Sequence, residues 1–147
     1  MSDVLRIKIQ GELPPKKDGA NSMWRKPVEV RRLLVLRRAV ANALDAERPP
    51  QEPLELRLRV WADRSAGDLD NFVTGICDGL MAAHRSVVVR AADWDGVPAA
   101  ALPDQALVVS DDSLIDRVVA ERLPPRAGGP AYELEIQSSD QLSQPAP

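Results

Sequence analysis

The chain has 147 residues, 44% of them apolar and only 3% aromatic, which allows one domain whose core is built mainly from Leu, Val, Ile and Ala. Its one cysteine, Cys77, excludes a disulfide framework and a cysteine zinc site. No apolar run nears the ~18 residues of a membrane span, and Met1–Val4 opens no signal-peptide pattern, so a cytoplasmic protein is expected. The net charge of -3 conceals a gradient: residues 1–48 carry 11 Lys and Arg against 6 Asp and Glu, and the remainder carries 8 against 16. Such a division suits a protein that meets polyanions with one surface and cations with another, or it is ordinary solvated charge.

In chain order, Val4–Gln10 alternates Leu5, Ile7 and Ile9 with Arg6 and Lys8, the pattern of a half-buried strand. Gly11–Pro27 is broken by Pro14-Pro15, Asp18-Gly19 and Asn21-Ser22 and reads as a loop. It sets Lys16, Lys17, Arg25 and Lys26 around Trp24, a combination that either contacts a phosphate backbone or is merely solvated. Val28–Glu47 has helical spacing, with Val30, Leu33, Leu34, Val40 and Leu44 on one side and Arg31, Arg32, Arg37 and Arg38 on the other, before Pro49-Pro50. That basic side either lies along a duplex or faces water. Leu54, Leu56, Leu58 and Val60 alternate with Glu55, Arg57, Arg59 and Trp61, which predicts a second strand.

The next stretch organises the chain. In Gly67-Asp68-Leu69-Asp70-Asn71-Phe72-Val73-Thr74-Gly75-Ile76-Cys77-Asp78-Gly79-Leu80, the residues Leu69, Phe72, Val73, Ile76, Cys77 and Leu80 make one continuous helical face. Asp68 and Asp70 fall in the first turn, where carboxylates complement the positive helix end and where the chain changes direction, so the pair is able to converge. Cys77 reads as a small core residue and His84 as a basic group at the helix carboxyl end.

Arg85–Asp104 is expected to be a surface excursion. Leu107–Val109 reads as a short buried strand, Ser110-Asp111-Asp112-Ser113 as a turn, and Leu114–Leu123 as a strand with apolar residues on both faces. Pro124–Pro130 is a loop, Tyr132–Ile136 a final alternating strand, and 138–147 a disordered tail. The order predicts a small single α/β (α+β) domain over 1–137, with a mixed sheet and helices packed on it. The two acidic clusters, Asp68 with Asp70 and Asp111 with Asp112, are expected to meet and hold a divalent cation. Taken one at a time, each is equally a cap, a dipole partner or a turn.

Asp68-Leu69-Asp70-Asn71 opening a helix, Asp78-Gly79-Leu80 further along it, and Ser110-Asp111-Asp112-Ser113 before a strand pair resemble the RusA family, the Holliday junction resolvases of bacteria and their phages. The likeness covers the element order from Leu5 to Ile136, including the Pro-Pro and basic loop after the first strand. It implies a homodimer that binds four-way DNA junctions and cuts them symmetrically with magnesium, manganese serving as a substitute. It also implies that Asp68, Asp70 and Asp112 are the catalytic metal-binding aspartates, with Asp111 beside them. Lys16, Lys17, Arg25 and Lys26 are the expected DNA contacts. The family's lysine one turn after the second aspartate is Thr74 here, which leaves a second reading open: a non-catalytic junction- or duplex-binding protein on the same fold.

Overall fold

The computed structural model describes residues 5–17, 23–43, 53–81, 94, 96–97, 99–102, 105, 107–108 and 115–138, without the side chains of Arg25 and Ala100. Among the described residues, four strands and two α-helices follow one another as β1 (Leu5–Gln10), α1 (Pro27–Ala43), β2 (Leu54–Trp61), α2 (Leu69–Gly79), β3 (Ile115–Leu123) and β4 (Ala131–Ser138). The strands make one mixed sheet in the order β1-β4-β2-β3. In it β2 and β3 are parallel, and β4 runs antiparallel to both β1 and β2. The expected α+β class, a small domain with a mixed sheet and packed helices, is what forms.

Period-2 patterning decides which face of the sheet is covered. Ile7, Leu56, Leu58, Val60, Tyr132, Leu134 and Ile136 point to one side, where Leu36 and Val40 of α1 and Phe72, Ile76 and Leu80 of α2 close the main core. The opposite face carries cross-strand ion pairs, Arg6–Glu135 at 3.2 Å, Lys8–Glu133 at 3.9 Å and Arg59–Glu121 at 2.9 Å. Exposed pairs of this kind contribute about 0.2–1 kcal/mol each, so they tune register more than they stabilise. Glu55 on that face is nevertheless fully buried, held by Gln137 Nε2 at 2.7 Å and flanked by Arg117 and Arg57. On the core face, burial and the nearby Glu12 push the phenol of Tyr132, the only tyrosine, well above its ordinary range.

Three expectations need correction. Of the expected strand, Ile115–Leu123 forms the edge strand β3, Leu114 lies outside the described residues, and a bulge brings Ile115 and Val118 to one face. Leu54 pairs with Ile115 but Glu55 pairs with Arg117, so Asp116 is the extra residue and the alternation changes phase there. Val118 and Val119, on opposite faces, are left 40% and 41% exposed. Leu107 and Val108 are buried but form a bend: both their N–H groups donate to the Leu80 carbonyl, at 3.0 and 3.2 Å, instead of joining a ladder. In the 85–104 stretch, Trp94 and Ala101 are buried, and Trp94 packs with Met23, Trp24, Val30 and Leu33 in a second core. The described part of that stretch is therefore not simply a surface excursion.

Arg37 joins the two helices. It lies on α1, is fully buried, and donates from Nε to the Ala101 carbonyl (2.9 Å), from Nη1 to those of Gly79 (2.7 Å) and Met81 (2.9 Å), and from Nη2 to those of Leu102 (2.7 Å) and Gln105. Gly79 ends α2, where helix carbonyls lack intrahelical partners and the dipole is negative, and Met81 lies two residues beyond it. One guanidinium thus satisfies the end of α2 and pins the 99–105 segment, while its flat face lies 5.5 Å from the Trp24 ring. Arg37→Leu is expected to cost about 3 kcal/mol or more in a denaturant titration, because several buried carbonyls lose their donor together. Arg37→Lys should recover only part of it, since an ammonium cannot reproduce the planar fork.

Candidate functional site

All three strands that run in the same direction, β1, β2 and β3, end at one edge of the sheet, and the segments that follow or finish them meet there. Open α/β sheets gather their ligands at the carboxyl ends of strands for this reason. After β2 the chain turns through a short 3-10 segment, Arg64–Ala66, and reaches Gly67 with φ of +140°, a conformation that side-chain-bearing residues rarely adopt. Asp68 follows as the N-cap of α2, extended at φ -76° and ψ 143°. Its backbone carbonyl accepts the N–H groups of Asn71 (3.1 Å) and Phe72 (3.3 Å), which starts the helix.

The side chain of Asp68 departs from ordinary capping: it accepts no cap hydrogen bond. Both Asp68 and Asp70 are exposed, and neither carboxylate enters an ion pair with a described residue. Two carboxylates at the start of one helix are thereby left available to an outside partner. Thr74, one turn on, donates its hydroxyl to the Asp70 carbonyl at 3.0 Å and so serves the helix backbone.

The loop after β1 crosses α2 at very close range. A Cβ on Gly75 would stand 2.0 Å from the Pro15 carbonyl oxygen and 2.9 Å from the Lys16 nitrogen, so only glycine lets the loop backbone lie against the helix. The contact is fastened by Lys17 N–H to the Asn71 carbonyl (3.1 Å), Lys16 N–H to Glu29 Oε1 (2.8 Å), and Lys17 Nζ to Asp78 Oδ2 (3.0 Å). Lys16 is left lying over Gly67, where a Cβ would be 2.7 Å from its Cδ and 3.2 Å from its Nζ. A positive charge therefore stands beside the residue that precedes Asp68, and it makes no ion pair among the described residues.

The other basic groups divide differently from the expectation. Lys17 is engaged with Asp78, and half-buried Lys26 starts α1, its carbonyl accepting the Val30 N–H at 2.8 Å. The backbone of Arg25 lies in the 3-10 turn before α1, and its side chain is outside the description. Trp24 is buried, 5.7 Å from Trp94 between ring centroids, so it is not an exposed stacking residue of a basic loop. The basic side of α1 is only partly open, with Arg38 and Arg31 exposed. Arg37 is buried, Arg32 pairs with Glu29 at 3.0 Å, and Arg31 pairs with Glu12 at 3.0 Å. One residue that patterning overlooked is Arg122 of β3, whose guanidinium donates to the carbonyls of Asp63 (2.8 Å) and Gly67.

Asp111 and Asp112 lie outside the described residues. Among the described residues no group of three or more His, Cys, Asp and Glu side chains comes together. What the described site offers a metal is a pair of exposed carboxylates without histidine or thiolate. Such hard oxygen donors suit magnesium or manganese, which keep several waters. No helix among the described residues is long and apolar enough to cross a membrane.

No family model matches the chain, and no curated protein matches it.

The close approach at Gly75 generates a test. In an exposed helix interior Gly→Ala normally stabilises by up to about 1 kcal/mol. Gly75→Ala should instead destabilise by about 1–3 kcal/mol in denaturant unfolding, because the methyl group collides with backbone that has no alternative position. Stabilisation by this substitution would mean that the loop does not lie on α2 in solution.

Proposed function

We propose that the protein is a magnesium-dependent, structure-selective endodeoxyribonuclease of the RusA type, acting in the cytoplasm on four-way DNA junctions through one domain over 1–137. The observation that carries this reading is the start of α2. Asp68 and Asp70 stand exposed there, Asp68 forgoes its cap bond, and Lys16 is laid against Gly67, the residue before Asp68. Asp68, Asp70 and Asp112, supported by Asp111, would hold the cation. When bound, magnesium supplies water activation at neutral pH and neutralises charge on the scissile phosphate.

The chain's own groups do the rest. Lys16 offers its ammonium to a phosphate oxygen next to the carboxylates, a role in keeping with its lack of an ion pair among the described residues. Lys17, Arg25 and Lys26 extend that contact along the backbone, Lys17 by sharing its charge with Asp78. Two opposed nicks call for two equivalent sites on one substrate, which a two-fold homodimer supplies. The edge position of β3 and the exposure of Val118 and Val119 favour that strand as the self-complementary patch. A second reading, junction binding without cleavage, draws on Thr74, whose hydroxyl is turned to the Asp70 carbonyl and brings no charge to the site.

A synthetic four-way junction incubated with the protein decides between them. Paired, symmetric nicks are expected in magnesium or manganese. They should disappear in EDTA and fall at least about 100-fold in Asp70→Asn, since a bound cation is worth several kcal/mol to the transition state. Salt-sensitive binding with intact strands in both ions would establish the non-catalytic reading. Absence of any binding at low salt would overturn both.

A further inference from the structure

The carboxyl end of β3 reaches into the turn that delivers Asp68. Arg122 pairs with Val60 across the parallel ladder, so it shares the helix-side face of the sheet, yet it sits on an edge strand where a long side chain can leave the core. The guanidinium passes 6.0 Å from the Phe72 ring centroid and donates from Nη1 to the Asp63 carbonyl at 2.8 Å and from Nη2 to the Gly67 carbonyl. Those two carbonyls bracket the segment between β2 and α2. The second belongs to the peptide unit that contains the Asp68 nitrogen, so the bond acts directly on the plane attached to the Asp68 Cα.

That plane needs an external hold. Gly67, at φ +140°, is the loosest kind of backbone joint, and the Asp68 side chain makes no cap bond to steady itself. A planar guanidinium bonded to both ends of the turn fixes their separation with a single rigid group. We propose that Arg122 is a positioning residue for the Asp68 carboxylate, setting the geometry in which it meets a divalent cation. This rests on the reading of Asp68 and Asp70 as cation ligands. Groups that orient a metal ligand without touching the metal are worth 10–100-fold in affinity.

The test is a Mn2+ titration of the full chain followed by electron paramagnetic resonance, with circular dichroism and junction binding in EDTA measured in parallel. Wild type should bind Mn2+ in a manner lost in Asp70→Asn. Arg122→Ala should bind it about 10–100-fold more weakly, with helical signal and metal-free junction binding retained, and Arg122→Lys should recover part of the loss. Should the alanine variant fail to fold, Arg122→Gln carries the same expectation, because its shorter amide cannot bond both carbonyls of the turn as the guanidinium does. Unchanged Mn2+ affinity in folded Arg122→Ala or Arg122→Gln overturns the proposal alone, including the case in which only junction binding falls. Wild type that binds no Mn2+ dependent on Asp70 overturns both it and the reading beneath it.

Discussion

Arg37 is the constraint on which the arrangement of this small domain depends. Its five backbone acceptors belong to the end of α2 and to the 99–105 segment, two regions that otherwise have no ladder in common. Burying a guanidinium is costly unless every donor is satisfied, and oriented carbonyls at a helix carboxyl end satisfy it where they would otherwise be orphaned. With its far end fixed in this way, α2 is held at mid-length by the glycine contact with Pro15 and at its start by Arg122. The position of Asp68 and Asp70 is the outcome of those three contacts along one helix of 11 residues.

Charge is distributed to the same end. Much of the described basic excess of the first third is paired, though Arg31 and Arg38 stay exposed. Arg31 and Arg32 are absorbed by Glu12 and Glu29, Arg6 and Lys8 by the β4 glutamates, and Arg37 by carbonyls. Glu29 then uses its other oxygen to accept the Lys16 N–H, so this ion-pair network also sets the path of the basic loop. Lys16 remains as a cation placed by its backbone and not consumed by a described carboxylate. Its side chain is laid against Gly67, the residue that delivers Asp68 to the start of α2.

Much of this was legible in the sequence, and the failures have physical causes. Alternation identified β1, β2 and β4, and helical spacing identified α1 and α2 with Asp68 and Asp70 in the first turn. The spacing of α1 also held a missed signal: Arg37 is four residues from Leu33 and three from Val40, which puts it on the apolar stripe and not opposite it. In β3 a bulge at Asp116 brings Ile115 and Val118 to the same face, a shift that a period-2 reading cannot represent. Leu107 and Val108 are buried as their apolar character predicts, but their N–H groups go to the end of α2 and not to a strand. Trp24 seemed a solvent-facing aromatic because its partner, Trp94, lies 70 residues away in sequence. The importance of Gly75 and Arg122 likewise comes from contacts between distant segments, and no local pattern reports those.

The central claim is that the start of α2 is a divalent-cation site completed by the second acidic cluster. Iron(II) substituted for magnesium, with ascorbate and peroxide, cuts a backbone beside the place where the metal binds and so locates it without recourse to activity. The account predicts cuts at residues 67–71 and again near 111–112, suppressed by excess magnesium and absent in Asp70→Asn. Cuts confined to other segments, or a pattern indifferent to magnesium and to Asp70, would contradict it.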